Sequence, residues 1–392
     1  MARILMTLES DFPHDERVEK EAKALIEGGH EVHILCYTKT HQTPYEIWNN
    51  IHIHRFQISK WIYKSSALCL QFPFYFNFWS KKLKTLLHKT TFDIIHIHDL
   101  PLVSVIEKLK AKYHFKTVLD LHENWPVLMN MGAFSSKFPV NLFFSFNQWK
   151  QYEKKWVQRV NGVITVIEEA KQRLVNFGTS KDKIIVASNT IDLESFQLPK
   201  IQKTLHDFSI IYSGGVNEHR GLHIVLQALK NLKDKGIKIH LVIVGGGNYM
   251  NTLKEMAKDL HLENQLIDLG WKSYQEMMEK IVSAQVLIIP HLRSEHTDAT
   301  IPNKLFQYMY AQKPLLVSNC TPLKRIVEKE NAGIVYEDRN ADDLAVKIQD
   351  IYQDYEKYLA SSIKNKLTVE ERYHWGVEAG KLNLFYENIQ KT

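Results

Sequence analysis

Short apolar runs alternate along this chain with segments in which apolar residues recur every three to four positions. Ile4–Leu8, Glu31–Tyr37, Ile51–Arg55, Asp93–Ile97, Lys116–Leu121, Val163–Val166 and Lys183–Ala187 read as strands, with Ile51–Arg55 the more exposed. Between them, Glu16–Glu27 carries Val18, Ala22, Leu25 and Ile26 on one helical face and stops at Gly28-Gly29. Further helices are predicted at about Pro101–Lys112 and Glu168–Asn176. From Leu121 to about Gly162 the chain reads as irregular and aromatic.

The alternation breaks at Glu194–Asp207, a polar stretch with Pro199 that reads as a linker, and then restarts. Strands are predicted at Ser209–Tyr212, Ile239–Val244, Leu266–Leu269, Gln285–Ile289, Pro314–Ser318 and Ile334–Tyr336. Helices are predicted from Leu222, with Val225, Leu226, Leu229 and Leu232 on one face, and at Tyr249–Leu260, Tyr274–Ser283 and Pro302–Ala311. The tail from about Asp342 is helical. Strands alternating with helices argue parallel, doubly wound sheets, so the expected architecture is α/β with two Rossmann-like domains. The expected boundaries are 1–193, a linker 194–207, and 208–369, with a helix 370–392 packing back on the first domain. Ligands of such sheets sit at the carboxyl ends of the strands, here in a cleft between the domains.

A chain of 392 residues with 24% charged residues is a globular protein of about two domains. Its net charge of +6 is not the footprint of a nucleic-acid binder. Cys36, Cys69 and Cys320 are scattered, which excludes a disulfide framework and a four-cysteine zinc site and fits a reducing, cytoplasmic compartment. No apolar run is long enough to span a membrane, and the first one reads as a strand rather than a signal peptide.

The stretch with most chemistry is Ser213-Gly214-Gly215-Val216-Asn217-Glu218-His219-Arg220-Gly221. It lies between a strand and a helix, where unpaired N–H groups and the helix dipole suit an anion. Gly214, Gly215 and Gly221 allow close backbone approach, and Arg220 adds a cation with donors suited to phosphate. No Asp-x-Asp occurs, so a metal held by that motif is unsupported. His96 and His98 alternate with Ile on one strand, but no third ligand follows at metal-site spacing.

Taken together, several segments resemble family 4 of the retaining glycosyltransferases, of GT-B fold, over nearly the whole chain. They are Asp15–Ala22, Gly29-His30-Glu31-Val32, Asp93–Asp99, Leu119-Asp120-Leu121-His122-Glu123, Gly214–Gly221, Val244-Gly245-Gly246-Gly247, Leu269-Gly270-Trp271 and Pro302–Met309. The resemblance implies a nucleotide-diphosphate sugar as donor substrate, UDP- or GDP-linked, no further cofactor, no metal, and a glycan or lipid-linked acceptor, as in surface polysaccharide assembly. It places Gly214, Gly215, Arg220, Gly221, Gly246, Trp271, Ile301, Pro302, Asn303, Lys304 and Gln307 at the donor. Lys304 assists the phosphates or is merely solvated. His122 stands beside the donor sugar, through its ring or main chain, with Glu123 next to it. Asp11, His14, His98 and Asp99 lie toward the acceptor, while Asp15 reads as the cap of the following helix.

Departures from the family pattern are specific. Gly215 stands where the family usually has Arg, Arg220 where it has Lys, and Ala299 and Gln307 where it has a pair of glutamates. These leave open a weakly active relative serving as a binding or partner subunit. A nucleotide-sugar 2-epimerase shares the fold. A dinucleotide oxidoreductase fits poorly, because no GxGxxG opens a first βαβ unit.

Two stretches combine aromatic and basic residues. Trp61–Lys89 carries eight aromatics and, counting Lys60 just before it, six lysines without an acid; Phe138–Trp156 is a second such stretch, with Phe143, Phe144, Phe146 and Trp149 ahead of Lys150, Lys154 and Lys155. Such composition suits an anionic membrane surface, and equally a core helix with a solvated basic end.

Overall fold

A computed structural model describes residues 1–13, 15–40, 42–131, 143–199 and 208–391. The chain divides into two compact units, one of residues 1–189 with 376–392, the other of residues 190–375.

The first unit is an eight-stranded sheet. Its strands are β1 (Arg3–Leu8), β2 (Glu31–Thr38), β3 (Tyr45–Trp48), β4 (Ile51–Gln57), β5 (Ile94–His98), β6 (Lys116–Leu121), β7 (Gly162–Thr165) and β8 (Ile184–Val186), in the order β3-β4-β2-β1-β5-β6-β7-β8. All neighbours are parallel except β3, which pairs antiparallel with β4. Strands β1, β5 and β6 are buried on both faces, as strands of a covered parallel sheet should be, with His96 and His98 of β5 and Asp120 of β6 buried among them. The order reverses between β1 and β5, which makes their carboxyl ends the switch point where doubly wound sheets bind ligands.

Helix Glu16–Glu27 is capped by Asp15, whose carboxylate accepts from the Arg17 and Val18 N–H groups at 3.1 and 3.2 Å. The C-terminal helix, Trp375–Lys391, packs on this unit from Gly376 onward: Phe385 and Ile389 fill the space over Gly162, and Lys116 donates to the Ile389 carbonyl at 2.7 Å.

Among its described residues, the stretch expected to be irregular contains two helices, Trp125–Met131 and Phe146–Val157. Their aromatic crowding hid the helical period; Trp149 and Trp156 point inward while Lys150, Lys154 and Lys155 take the other positions. The short edge strand β3 was not predicted, because four half-exposed residues leave little apolar pattern.

The second unit is a six-stranded, all-parallel sheet of β9 (Ser209–Ser213), β10 (His240–Val244), β11 (Leu266–Asp268), β12 (Val286–Ile289), β13 (Leu315–Ser318) and β14 (Ile334–Tyr336), in the order β11-β10-β9-β12-β13-β14. Its switch point lies between β9 and β12. Helix Leu222–Asp234 buries Leu222, Val225, Leu226, Leu229 and Leu232 against the sheet. Of the stretch read as a linker, residues 200–207 lie outside the described residues; before them Phe196 is buried, with its ring edge-on to Tyr274 and Tyr310. No helix among the described residues is long and apolar enough to cross a membrane.

Candidate functional site

In the second unit, the loops after β9, β10 and β12 meet. The Gly214 N–H bonds to the Val244 carbonyl at 2.8 Å, Val216 N–H to Gly246 O at 3.0 Å, and Gly245 N–H to Gly270 O at 2.8 Å. Much of the loop's donor capacity is thus spent on its neighbours rather than pointing outward, which corrects the expectation of an unpaired N–H array. The glycines serve this close packing. A Cβ on Gly245 would sit 2.0 Å from the Gly214 carbonyl oxygen, and one on Gly221, at φ +71°, would sit 1.9 Å from the Pro290 carbonyl oxygen. The Gly215 N–H has no acceptor among the described residues, and the buried Tyr212 hydroxyl holds the Gly215 carbonyl at 2.7 Å.

Cations converge on this loop. Arg220 ends a short 3₁₀ turn, and its Nη1 lies 2.9 Å from Nε2 of His291, which follows β12. Its Nε is buried without a partner. The Lys304 ammonium stands over the Tyr212 ring, 4.0 Å from its centroid, and donates to the Ser213 carbonyl. Among the described residues neither Arg220 nor Lys304 pairs with a carboxylate. Burial, then the Arg220 charge, pulls the Lys304 ammonium well below its ordinary range. Burial, followed by Arg220 and Lys304, likewise keeps His291 neutral. Two uncompensated cations around a neutral imidazole form a site that an anion would relieve.

The remaining residues expected at the donor are scattered in exposure. Trp271 is 71% exposed, and its indole nitrogen lies over Gly246, 3.0 Å from where a Cβ would be. The helix expected from Pro302 begins at Lys304 and ends at Tyr310, too short to offer a strong dipole; Asn303 precedes it without a side-chain cap bond. Ile301 is buried, so its side chain packs rather than faces a ligand. Pro302 and Gln307 are half-buried and Asn303 is exposed.

In the first unit the carboxyl ends of β1, β5 and β6 gather a different cluster. His122 Nε2 lies 2.7 Å from Asp120 Oδ2 and 3.3 Å from His98 Nδ1. Asp120 is fully buried and also pairs with Arg17 Nη2 at 3.3 Å, which in turn sits 2.8 Å from Glu21. Burial would lower the His122 pKa, but the Asp120 and Asp99 carboxylates outweigh it and raise it to about 9. His122 is therefore an imidazolium at neutral pH, a hydrogen-bond donor and not a base. Burial opposes ionisation of Asp120, yet Arg17 and His122 hold it well below the usual carboxylate range. Burial pushes Glu21 up, so the ionised member is Asp120.

The sequence offered no third ligand for His96 and His98, whereas in space Glu21 and Asp120 bring their ligand atoms within 4.8 Å of them. Arg17 lies against both acids and its charge offsets that of Asp120, so the group reads as a buried ion network. Asp99 adopts φ +62° just after β5, and burial raises its carboxyl pKa. Glu123 is half-buried beside His122. Asp11 accepts from the Phe12 N–H and from Gln42, bonds that shape its own loop. His14 lies outside the described residues.

Sequence reasoning missed Glu9, Arg17, Glu21 and Asp120 here, and His291 in the second unit. Burial raises the Glu9 carboxyl to about 8, and its Oε2 is buried without a partner. An acid directly after the first strand was the available signal for Glu9; the others are joined only by the fold.

Residues 17–195 match the model described as Glycosyltransferase Family 4, and residues 195–367 the model described as Glycosyl transferases group 1. A putative colanic acid biosynthesis glycosyltransferase of Escherichia coli is 24% identical over 177 residues, 45% of this chain and 44% of that protein, so the match spans less than half the length of that relative. Sucrose-phosphate synthase from Thermosynechococcus elongatus superposes with a TM-score of 0.76 at 15% identity, over 99% of both chains. Anabaena HepE in complex with UDP superposes with a TM-score of 0.71 at 12% identity, over 99% of this chain and 100% of that one.

Proposed function

Because the chain belongs to the group 1 glycosyltransferases of family 4, with the GT-B fold, we propose that it transfers a hexose, with retention, from a nucleotide-diphosphate sugar to a glycan or lipid-linked acceptor. The observation that carries this reading is the carboxylate-free pair of Arg220 and Lys304 around neutral His291 at the β9/β12 switch point. Such a pair offsets the charge that develops on a departing diphosphate, and GT-B chemistry places cations and helix N-termini in that role without an Asp-x-Asp metal. The donor is a UDP- or GDP-sugar; HepE's complex with UDP lends support to a uridine nucleotide. Exposed Trp271 over Gly246 is positioned to stack on the base.

On the first unit, the His122 imidazolium is the group offered to a substrate hydroxyl, held by Asp120, which Arg17 pairs in turn, with His98 beside it. The leaving phosphate takes the acceptor proton at the face from which it departs. The similarity to a colanic acid biosynthesis enzyme supports a role in surface polysaccharide assembly.

A lipid-linked acceptor is favoured by a patch of exposed rings on the first unit. Trp61 meets Phe74 at 5.1 Å, and Phe72 meets Phe143 at 5.6 Å, with exposed Lys60 and Lys64 alongside. The same segment also fills the core through Tyr75, Trp79 and Leu83, so it combines both expected roles. Rings beside lysines suit an anionic leaflet, which would hold the enzyme at the inner face of the membrane.

A thermal-shift screen of UDP-, GDP-, ADP- and CMP-sugars tests the reading, since a ligand held only by the folded state raises Tm. Stabilisation by one nucleotide class, abolished by Arg220→Ala, is expected. Stabilisation by none would favour a partner subunit, the reading that Gly215, Ala299 and Gln307 keep alive.

A further inference from the structure

At the opposite, amino-terminal ends of the first unit's strands, Glu31 and His33 of β2 and His52 of β4 each bring a ligand atom within 4.8 Å of the others. The arrangement follows from register. Parallel pairing sets His33 beside His52, and the two-residue period puts Glu31 and His33 on one face of β2. We propose that Glu31, His33 and His52 form a binding site for a divalent transition-metal ion, with zinc as its occupant.

Four observations carry this. The rings are oriented by partners of the kind that support metal ligands: His33 Nδ1 lies 2.9 Å from His54 Nε2, and His52 Nδ1 lies 2.7 Å from the Tyr45 hydroxyl. The His33 and His52 rings are stacked, with centroids 4.4 Å apart and planes 12° apart. Such a pair sets a buried imidazole against a half-exposed one, where aliphatic residues would pack as well. A cavity of about 570 Å³ opens onto the cluster and gives an ion a path in. The helix Phe74–Leu87 ends at the cavity, whose wall includes Leu87, His88 and Lys89, so the partial negative charge of its C-terminus lies near the site, together with the Lys89 ammonium that opposes it.

Two imidazoles and one carboxylate with an open position are a donor set for zinc, and also for nickel and copper. His33 Nε2 and Glu31 Oε1 now share a proton at 2.7 Å, and the ion takes that proton's place. Arg3 also bonds Glu31 Oε1, at 2.9 Å, so it competes with the ion for that carboxylate. The site ties β4 to β2 from outside the substrate end of the sheet, and the ion acts on the stability of the unit.

The test is zinc alone, added to the metal-stripped protein, with bound metal measured after desalting and Tm recorded in parallel. One zinc per chain and a raised Tm are expected for the wild type. Both are expected to be lost in His33→Gln/His52→Gln, and zinc binding is expected to tighten in Arg3→Gln. Should the double variant fail to fold, His52→Gln alone, at a half-exposed position, serves, as do cobalt absorption bands that report coordination directly. No bound zinc in the wild type, or equal zinc in the variants, overturns the proposal; the second result would place the ion elsewhere, as at Glu21, His96, His98 and Asp120.

Discussion

Arg220 donates from Nη1 to Nε2 of His291 across 2.9 Å, joining the loop after β9 to the loop after β12. His291 can accept because its surroundings keep it neutral. It thereby aims the guanidinium without neutralising it. Arg220→Ala is expected to weaken nucleotide binding by about 1.5–3 kcal/mol, the range of a charged hydrogen bond. His291→Gln keeps an acceptor and should bind nearly as the wild type does, whereas His291→Phe should approach the loss seen in Arg220→Ala. Titration calorimetry with the stabilising nucleotide reads all three.

Lys304 offers a second measurement. Burial and Arg220 depress its pKa in the absence of an anion. A diphosphate reverses part of that depression, so binding should take up protons at alkaline pH. Calorimetry in buffers of different ionisation enthalpy counts them. Uptake absent in Lys304→Met but present in the wild type is the expected result; equal uptake in both would remove Lys304 from the site.

The Asp120–His122 pair predicts a pH dependence with a definite sign. His122 is raised from 6.5 to about 9 in the folded state, and Glu21 is raised as well. At these two groups the folded chain therefore binds more protons than the unfolded chain, and their contribution to stability falls as pH rises. The His122 contribution is fully present below about pH 6.5 and lost as pH climbs through about 9. Tm should decline over that window more steeply in the wild type than in His122→Gln, and activity should decline with it. Asp120→Asn removes one member of a buried network and should cost about 3–5 kcal/mol in denaturant unfolding.

Gly221 is a stability determinant rather than a ligand contact. Its φ is +71°, and the Pro290 oxygen lies 1.9 Å from where a Cβ would stand, which leaves no room for a side chain. Gly221→Ala should destabilise the second unit by at least the about 1–3 kcal/mol of a left-handed non-glycine residue. A Gly236→Ala control has the same backbone strain at φ +79° but open space around its Cβ, and should cost less.

Charge reversal tests the membrane reading. Lys81→Glu/Lys82→Glu/Lys84→Glu should reduce binding to vesicles containing anionic lipid, and Trp61→Ala/Phe74→Ala should reduce it at high salt as well. Binding unchanged in both would exclude this surface.

Much of the fold was legible because strands buried on both faces write continuous apolar runs, as β1, β5, β6 and β9 do, and helices such as Leu222–Asp234 write a clear apolar stripe. Short β3 and the aromatic helix Phe146–Val157 left weaker marks, the first for want of buried residues and the second because its apolar stripe is aromatic and interrupted by Glu153. Gly214, Arg220 and His122 stood out because each follows a readable strand end. His291 did not, since nothing local distinguishes a histidine after β12.

By itself the sequence determined two doubly wound sheets, the glycine loop at the head of the second, and the strand ends on which the candidate residues sit, because hydrophobic period and turn chemistry are local. Only the tertiary structure decided the electrostatics. Arg17, Glu21, Asp120 and His122 come from three elements and acquire their charge states from one another inside a buried network. Arg220, His291 and Lys304 become an anion site only when β9 and β12 lie side by side. A charge state depends on burial and on neighbours across the sheet, and neither is written in the spacing of residues along the chain.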